Sequence, residues 1–327
     1  MTKMKLPRIG GKRTTGRAFA AGLVISLFLS SGCVTARFSE PITTFGDCIN
    51  SSSLIIGSYY AELNKFEREI YLDERLFGST PEEMTASLTR NDRPTGLLGL
   101  FSAESIAART DAMVLLGTYA QRLGELAGSD APQQFSEGVK ILGENLYNLQ
   151  TTFEKLGAKG DPPAKNYFGP VGTIIGVIGN IYLGGARDAQ IKIAIEKGAP
   201  AVRDILGLLQ KDFIDVITPL QSTGLKEKLN LRLGYYNSHL NSSFEQRKKM
   251  LAEIGALVTR YDAAMNANPV NLIQTMRSAH ESLVKYAASS KDPQTLAEFL
   301  SALETFKNRV RDLSAAIGQI RDLKKGE

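Results

Sequence analysis

From Phe45 onward the apolar residues of this chain recur every three or four positions. Phe45, Ile49, Ile56, Tyr59, Leu63, Phe66 and Ile70 form one row, with Ser52 filling a slot and Cys48 beside it. That spacing holds side chains on one stripe of a helix and predicts a seam against a neighbouring helix. The pattern returns along the chain. Ile106, Met113, Leu116, Ala120 and Leu123 make a second row, and Phe135, Val139, Leu142, Leu146, Leu149, Phe153 and Leu156 a third. Val202, Leu206, Leu209, Phe213, Val216 and Leu220 make a fourth. A fifth runs through Leu240, Phe244, Leu251, Ile254, Val258, Tyr261 and Met265, interrupted by Arg247. It lies in a proline-free stretch, 223–267, that as one helix would be ~68 Å long. The last row is Phe299, Leu303, Phe306, Val310, Leu313, Ile317 and Ile320. No stretch alternates as a half-buried strand does.

Punctuation between the rows fits helix ends. Thr80-Pro81-Glu82-Glu83 reads as a capping box with Pro at the first helical position. Ser102 is placed to cap the second row, and Gly128 to end it. Asp130 or Ala131 with Pro132 starts the third row, and Gly157 to Pro163 stops it. Asn268-Pro269 and Asp292-Pro293 are further starts, whereas 91–101 (NDRPTGLLGLF) reads as a loop. Joints this short fold neighbouring helices back on each other. The expected fold is all-α: an elongated antiparallel helical bundle with coiled-coil-like seams and one Gly-rich apolar helix. No solenoid repeat is present.

That Gly-rich helix is expected within 166–186 (NYFGPVGTIIGVIGNIYLGGA), an uncharged stretch in which Pro170 suits a helix start and the helix continues through Ile191 and Ile195. Gly172, Gly176 and Gly179 fall on one face, where glycine lets another backbone approach closely. Three readings follow: a buried central helix with that face pressed on a neighbour, a segment (168–186) entering lipid through residues such as Ile174 and Ile178, and a Gly-rich apolar hairpin. From Val171 to Ala186 a helix gives ~24 Å, short of the ~30 Å hydrocarbon core.

The first thirty-three residues have a different character. Residues 1–17 carry Lys3, Lys5, Arg8, Lys12, Arg13 and Arg17 and no acid; 18–29 read AFAAGLVISLFL; Ser30-Ser31-Gly32-Cys33 follow. A basic segment, a short apolar segment and small residues before a cut make a secretory signal. At ~18 Å the apolar segment is too short to span a bilayer. LSSGC resembles the lipobox of bacterial lipoprotein precursors, with Ser30 where Leu is commonest. The resemblance covers residues 1–33 only. It implies a diacylglycerol thioether on Cys33, cleavage before it, and acylation of its amine. Two or three acyl chains hold a protein firmly to a membrane, where one does so marginally. Val34 stands where Asp retains enteric lipoproteins at the inner membrane, which implies outer-membrane sorting toward the periplasm. The expected organisation is a signal over 1–32, a lipidated Cys and tether over 33–41, and one helical-bundle domain over 42–327.

Cleavage changes the charge balance. The whole chain has a net charge of +5, but without the six basic residues of 1–32 it keeps 33 basic against 34 acidic residues, a net of −1. No basic surplus is left to draw a nucleic acid. Trp is absent and aromatics are 8%, which argues against a base-stacking platform. With Cys33 lipidated, Cys48 has no intrachain partner; it is expected as a small buried hydrophobe, the alternative being an intermolecular disulfide. His239 and His280 are the only histidines, and neither has metal-ligand spacing. No GxSxG elbow, Walker A loop or dinucleotide glycine fingerprint occurs. The sequence therefore predicts no catalytic residues, no metal and no cofactor. It points to a lipid-anchored envelope protein whose partners are the membrane, through the acyl chains on Cys33, and a protein of the envelope. The alternative is a membrane-active helical protein.

Overall fold

A computed structural model describes residues 36–77, 97, 101–128, 149, 151–156, 162–180, 187–218, 223–266, 269–289 and 292–322. These belong to one compact unit, Val34–Glu327, and among them every regular element is helical. Eight α-helices follow in order: α1 (Ala36–Leu76), α2 (Ala103–Gly128), α3 (Pro162–Asn180), α4 (Arg187–Asp212), α5 (Leu225–Ser238), α6 (Phe244–Asn266), α7 (Val270–Ala288) and α8 (Pro293–Asp322). A π-helical turn, Phe213–Ile217, continues α4, and residues 151–156 are also helical. The packed helices form an all-α bundle, as the apolar rows predict.

Most rows are the core. Phe45, Ile49, Ser52, Ile56, Tyr59, Leu63, Phe66 and Ile70 are all buried, as are Met113, Leu116, Ala120 and Leu123. Val202, Leu206, Leu209 and Phe213 are buried too, with Phe299, Leu303, Phe306, Leu313 and Ile317. Leu149, Phe153 and Leu156 are buried; the earlier residues of the third row, like Thr80–Glu83, lie outside the described residues. Around Phe45 of α1 gather His280 of α7, stacked at 6.2 Å, and Phe299 and Phe306 of α8, edge-on at 6.4 and 6.0 Å. Such aromatic pairs stabilise beyond the area they bury. The expected caps form at two ends: Ser102 Oγ accepts from the Ser105 N–H at 3.0 Å, and Asp292 Oδ1 from the Gln294 N–H at 3.3 Å.

Helices α1 and α2 run antiparallel and very close. A Cβ on Gly46 would sit 3.1 Å from both the Gly117 carbonyl oxygen and the Gln121 nitrogen. A Cβ on Gly124 would meet Thr43, its backbone nitrogen 3.2 Å away. Residue numbers fall along α2 as they rise along α1, and Ser39 Oγ donates to the Gly124 carbonyl at 2.7 Å. The close glycine-mediated approach expected of α3 therefore lies here.

Four expectations are corrected. The tether over 33–41 is helical from Ala36, since α1 takes Pro41 inside its early turns. The Gly-rich helix begins at Pro162, where a proline costs no intrahelical bond, and includes Pro170; it ends at Asn180, so Ile191 and Ile195 belong to α4. The stretch 223–267 is two helices. His239 closes α5, its N–H bonded to the Tyr236 carbonyl, and Ser243 opens α6. Ser243 Oγ accepts from the Gln246 N–H at 3.3 Å, while Gln246 Oε1 accepts from the Ser243 N–H at 3.1 Å. This reciprocal capping box makes the break. Fourth, the 240–265 row is a core seam only in part. Ile254 is buried and Tyr261 packs against the core, but Leu240, Phe244, Leu251 and Val258 are exposed, because the inward face of α6 runs through Ile254 and Leu257.

Gly46→Val should destabilise the fold by about 1–3 kcal/mol, because backbone atoms cannot yield to the new side chain. Gly176→Ala, where a Cβ would meet nothing within 4 Å, should stabilise it by about 0.5–1 kcal/mol. Urea unfolding of both variants checks the pair; equal effects would refute the α1–α2 register.

Candidate functional site

The apolar row of α2 skips the slot between Ile106 and Met113, and Arg109 occupies it. Arg109 is 0% exposed. Its Nε donates to Asp212 Oδ2 at 2.7 Å, and Nη1 donates to the Ser105 carbonyl at 3.2 Å and to Ser105 Oγ. The Tyr167 hydroxyl of α3 donates to the same Asp212 oxygen at 3.2 Å. Above and beside the guanidinium lie the rings of Phe101, 5.3 Å away, and Tyr167, 6.0 Å away. Tyr167 in turn stacks on Phe153 at 4.8 Å. Burial, then the Asp212 charge, push the Tyr167 phenol well above its ordinary value, so its proton stays on the hydrogen bond. Asp212 is the last residue of α4, directly before the π-helical turn. The cluster thus joins α2, α3 and α4 inside the core.

The chain before α2 is bonded to α1. Asn64 donates to the Phe101 carbonyl at 2.7 Å and accepts from its N–H at 2.9 Å, fixing the chain just before α2. Arg68 Nε donates to the Leu97 carbonyl at 2.9 Å. The loop expected over 91–101 is held to α1 at these two described residues.

A second cluster lines a cleft of about 610 Å³ between α1, α5 and α6. Lys228 Nζ lies 3.0 Å from Glu69 and 3.7 Å from Asp73. Arg232 holds Asp73 through two hydrogen bonds of 2.9 and 3.2 Å, and reaches Glu253 at 3.3 Å. Arg260 holds Glu69 through two bonds of 3.1 and 3.3 Å, its guanidinium 4.7 Å over the Phe66 ring. Burial alone would raise the Glu69 carboxyl, but Lys228 and Arg260 outweigh it and hold it below the usual carboxylate value. The contact numbers rise together, so α5 runs parallel to α1. Lys228 is the one buried side chain described in α5. The cleft is a network of answered charges rather than an acid–base pair poised for proton transfer.

The sequence-predicted residues scatter. Cys33 lies outside the described residues, and of Gly179 only the helical backbone is described. Ile174 and Ile178 are buried in the core with Val171 and Tyr167. Gly172 is half-buried and Gly176 exposed, so the face that packs is the β-branched one. Cys48 is buried, and burial pushes its thiol up, as expected of a small core hydrophobe. His239 caps α5: its Nδ1 lies 2.9 Å from the Tyr235 carbonyl and its ring 4.1 Å from that of Tyr235. His280 is buried between Phe45 and Tyr119, and Nε2 has no hydrogen-bond partner among the described residues. Burial and the Arg203 charge lower its pKa to about 4. Among the described residues no group of three His, Cys, Asp or Glu is placed to hold a metal ion.

No protein-family model matches the chain, and neither a curated protein nor a solved structure matches it.

Two outcomes test the buried groups. Arg109→Ala should cost about 3–5 kcal/mol by urea unfolding, because it leaves Asp212 buried without its cation. Arg109→Met with Asp212→Leu should recover most of that loss. For His280 the folded pKa is depressed, so below about pH 6.5 the unfolded chain takes up a proton that the folded chain refuses until about pH 4. Stability from this site is therefore full above pH 7 and falls by about 3 kcal/mol as pH drops to 4. His280→Phe should flatten that part of the pH–stability curve; an unchanged slope would contradict it.

Proposed function

We propose that this chain is a lipid-anchored protein of the bacterial cell envelope, and that its helical bundle serves as a scaffold or partner-binding module at the membrane surface. The observation that carries the reading is the N-terminal order: six basic residues without an acid, twelve uncharged residues, then Leu29-Ser30-Ser31-Gly32-Cys33. Supporting it, α1 begins at Ala36, so only Val34 and Thr35 lie between Cys33 and the helix. That is at most ~11 Å of chain. An acyl anchor there would keep the bundle against the bilayer, and Val34 after the Cys favours the outer membrane. Among the described residues, no helix is long and apolar enough to cross a membrane. The ordered polar clusters serve as joints between helices, which suits a module that acts through its surface. Insertion of 168–186 into lipid is less well supported. It would require withdrawing Val171, Ile174 and Ile178 from the core, which would uncover the apolar residues they pack against.

Radiolabelled palmitate fed to cells expressing the full chain should enter the wild type and be absent from Cys33→Ala, which should leave the membrane fraction. An unmodified Cys33 thiol in the exported protein, found by mass spectrometry, would defeat the reading.

A further inference from the structure

Helix α6 carries a second seam on its solvent side. Phe244, Lys248, Leu251, Gly255, Val258 and Asp262 step four, three, four, three, four, and all six are exposed. Phe244 is 68% exposed, Leu251 46% and Val258 41%. This is a coiled-coil row with no helix against it among the described residues. Its inward-facing counterpart, Ile254 and Leu257, is already covered.

The row complements itself when turned end for end. We propose that α6 pairs antiparallel with α6 of a second copy of this chain, about a two-fold axis passing between Leu251 and Gly255. In that register Leu251 of each copy faces Gly255 of the other. Gly255 offers an open notch, since a Cβ built there would meet nothing within 4 Å. Lys248 faces Val258 of the other copy, and its stem runs one helical turn, about 5.4 Å, further to the other copy's Asp262. Neither Lys248 nor Asp262 forms an ion pair within its own chain among the described residues. Two-fold symmetry produces each contact twice: two apolar knobs into two notches, and two opposite-charge pairs. Phe244 lies at each end of the seam, beyond Lys248, where the same register sets it opposite Asp262 of the other copy. An anionic membrane or an unrelated protein helix would use Phe244, Leu251 and Lys248, but would leave the Gly255 notch and Asp262 without a role. The inference is independent of the lipid anchor.

The test uses residues 34–327 without lipid, a compact unit whose described core begins at Ile42. Sedimentation equilibrium should show a concentration-dependent dimer. Lys248→Asp and Asp262→Lys should each weaken it about tenfold or more, and the two together should restore it to within about threefold of wild type. Gly255→Leu fills the notch on an exposed helical position, so it should abolish the dimer while leaving the thermal unfolding temperature equal or higher. Either of two results overturns the proposal: a monomer at every concentration up to about 1 mM, the weak end of specific association, or a dimer indifferent to the charge reversals and to Gly255→Leu.

Discussion

The Arg109–Asp212 pair constrains the rest of this molecule. A guanidinium and a carboxylate removed from water are tolerable only when each fully answers the other. The pair therefore sets where the end of α4 sits against α2. Tyr167 contributes α3 to the same oxygen, and Ser105 supplies a further acceptor from the preceding turn of α2. Apolar residues alone would permit several sliding arrangements of these helices, since leucine packs on leucine at many offsets. A 2.7 Å charged contact in the interior permits one. The rings of Phe101, Tyr167 and Phe153 then close over it. The polar centre fixes position, and the aromatic shell excludes water.

Close approach of α1 and α2 is the complementary constraint. The two helices meet through glycine, so their backbones lie nearer than leucine-sized side chains allow, and Asn64 extends the contact into the chain before α2. These two helices then present Phe45, Tyr59 and Tyr119 to α4, α7 and α8. Tyr119 illustrates how narrow the tolerances are: its hydroxyl donates to the Ala194 carbonyl at 3.2 Å, and a Cβ on Gly198 would lie 2.7 Å from the Tyr119 hydroxyl oxygen.

The helical character and most of the core were legible in the sequence, because a buried stripe leaves a three-and-four spacing that no other element produces. The rows through Phe45, Val202 and Phe299 show this. What failed had specific causes. Arg109 was readable as the gap in its row, but a charged residue in an apolar slot gives no indication of its partner 103 residues away. The α5–α6 break was readable as Ser243-x-x-Gln246, a capping box hidden inside a stretch judged continuous for want of proline. The outward seam of α6 has the same spacing as an inward one, since periodicity identifies a face and not the side it turns to. The glycines of α3 misled for a related reason: small residues permit a close neighbour but do not supply one.

Attachment of α5 differs in kind from that of the other helices. Its buried side chain is Lys228, and its bonds to α1 run through Glu69 and Asp73. Charge pairs at a partly exposed cleft contribute far less than the glycine-tight and aromatic contacts of α1, α2, α7 and α8. The molecule therefore has a hierarchy of opening. Opening of α5 can leave the α1–α2 pair intact, and added electrolyte, which screens the charges that hold α5, favours that opening over that of the other helices.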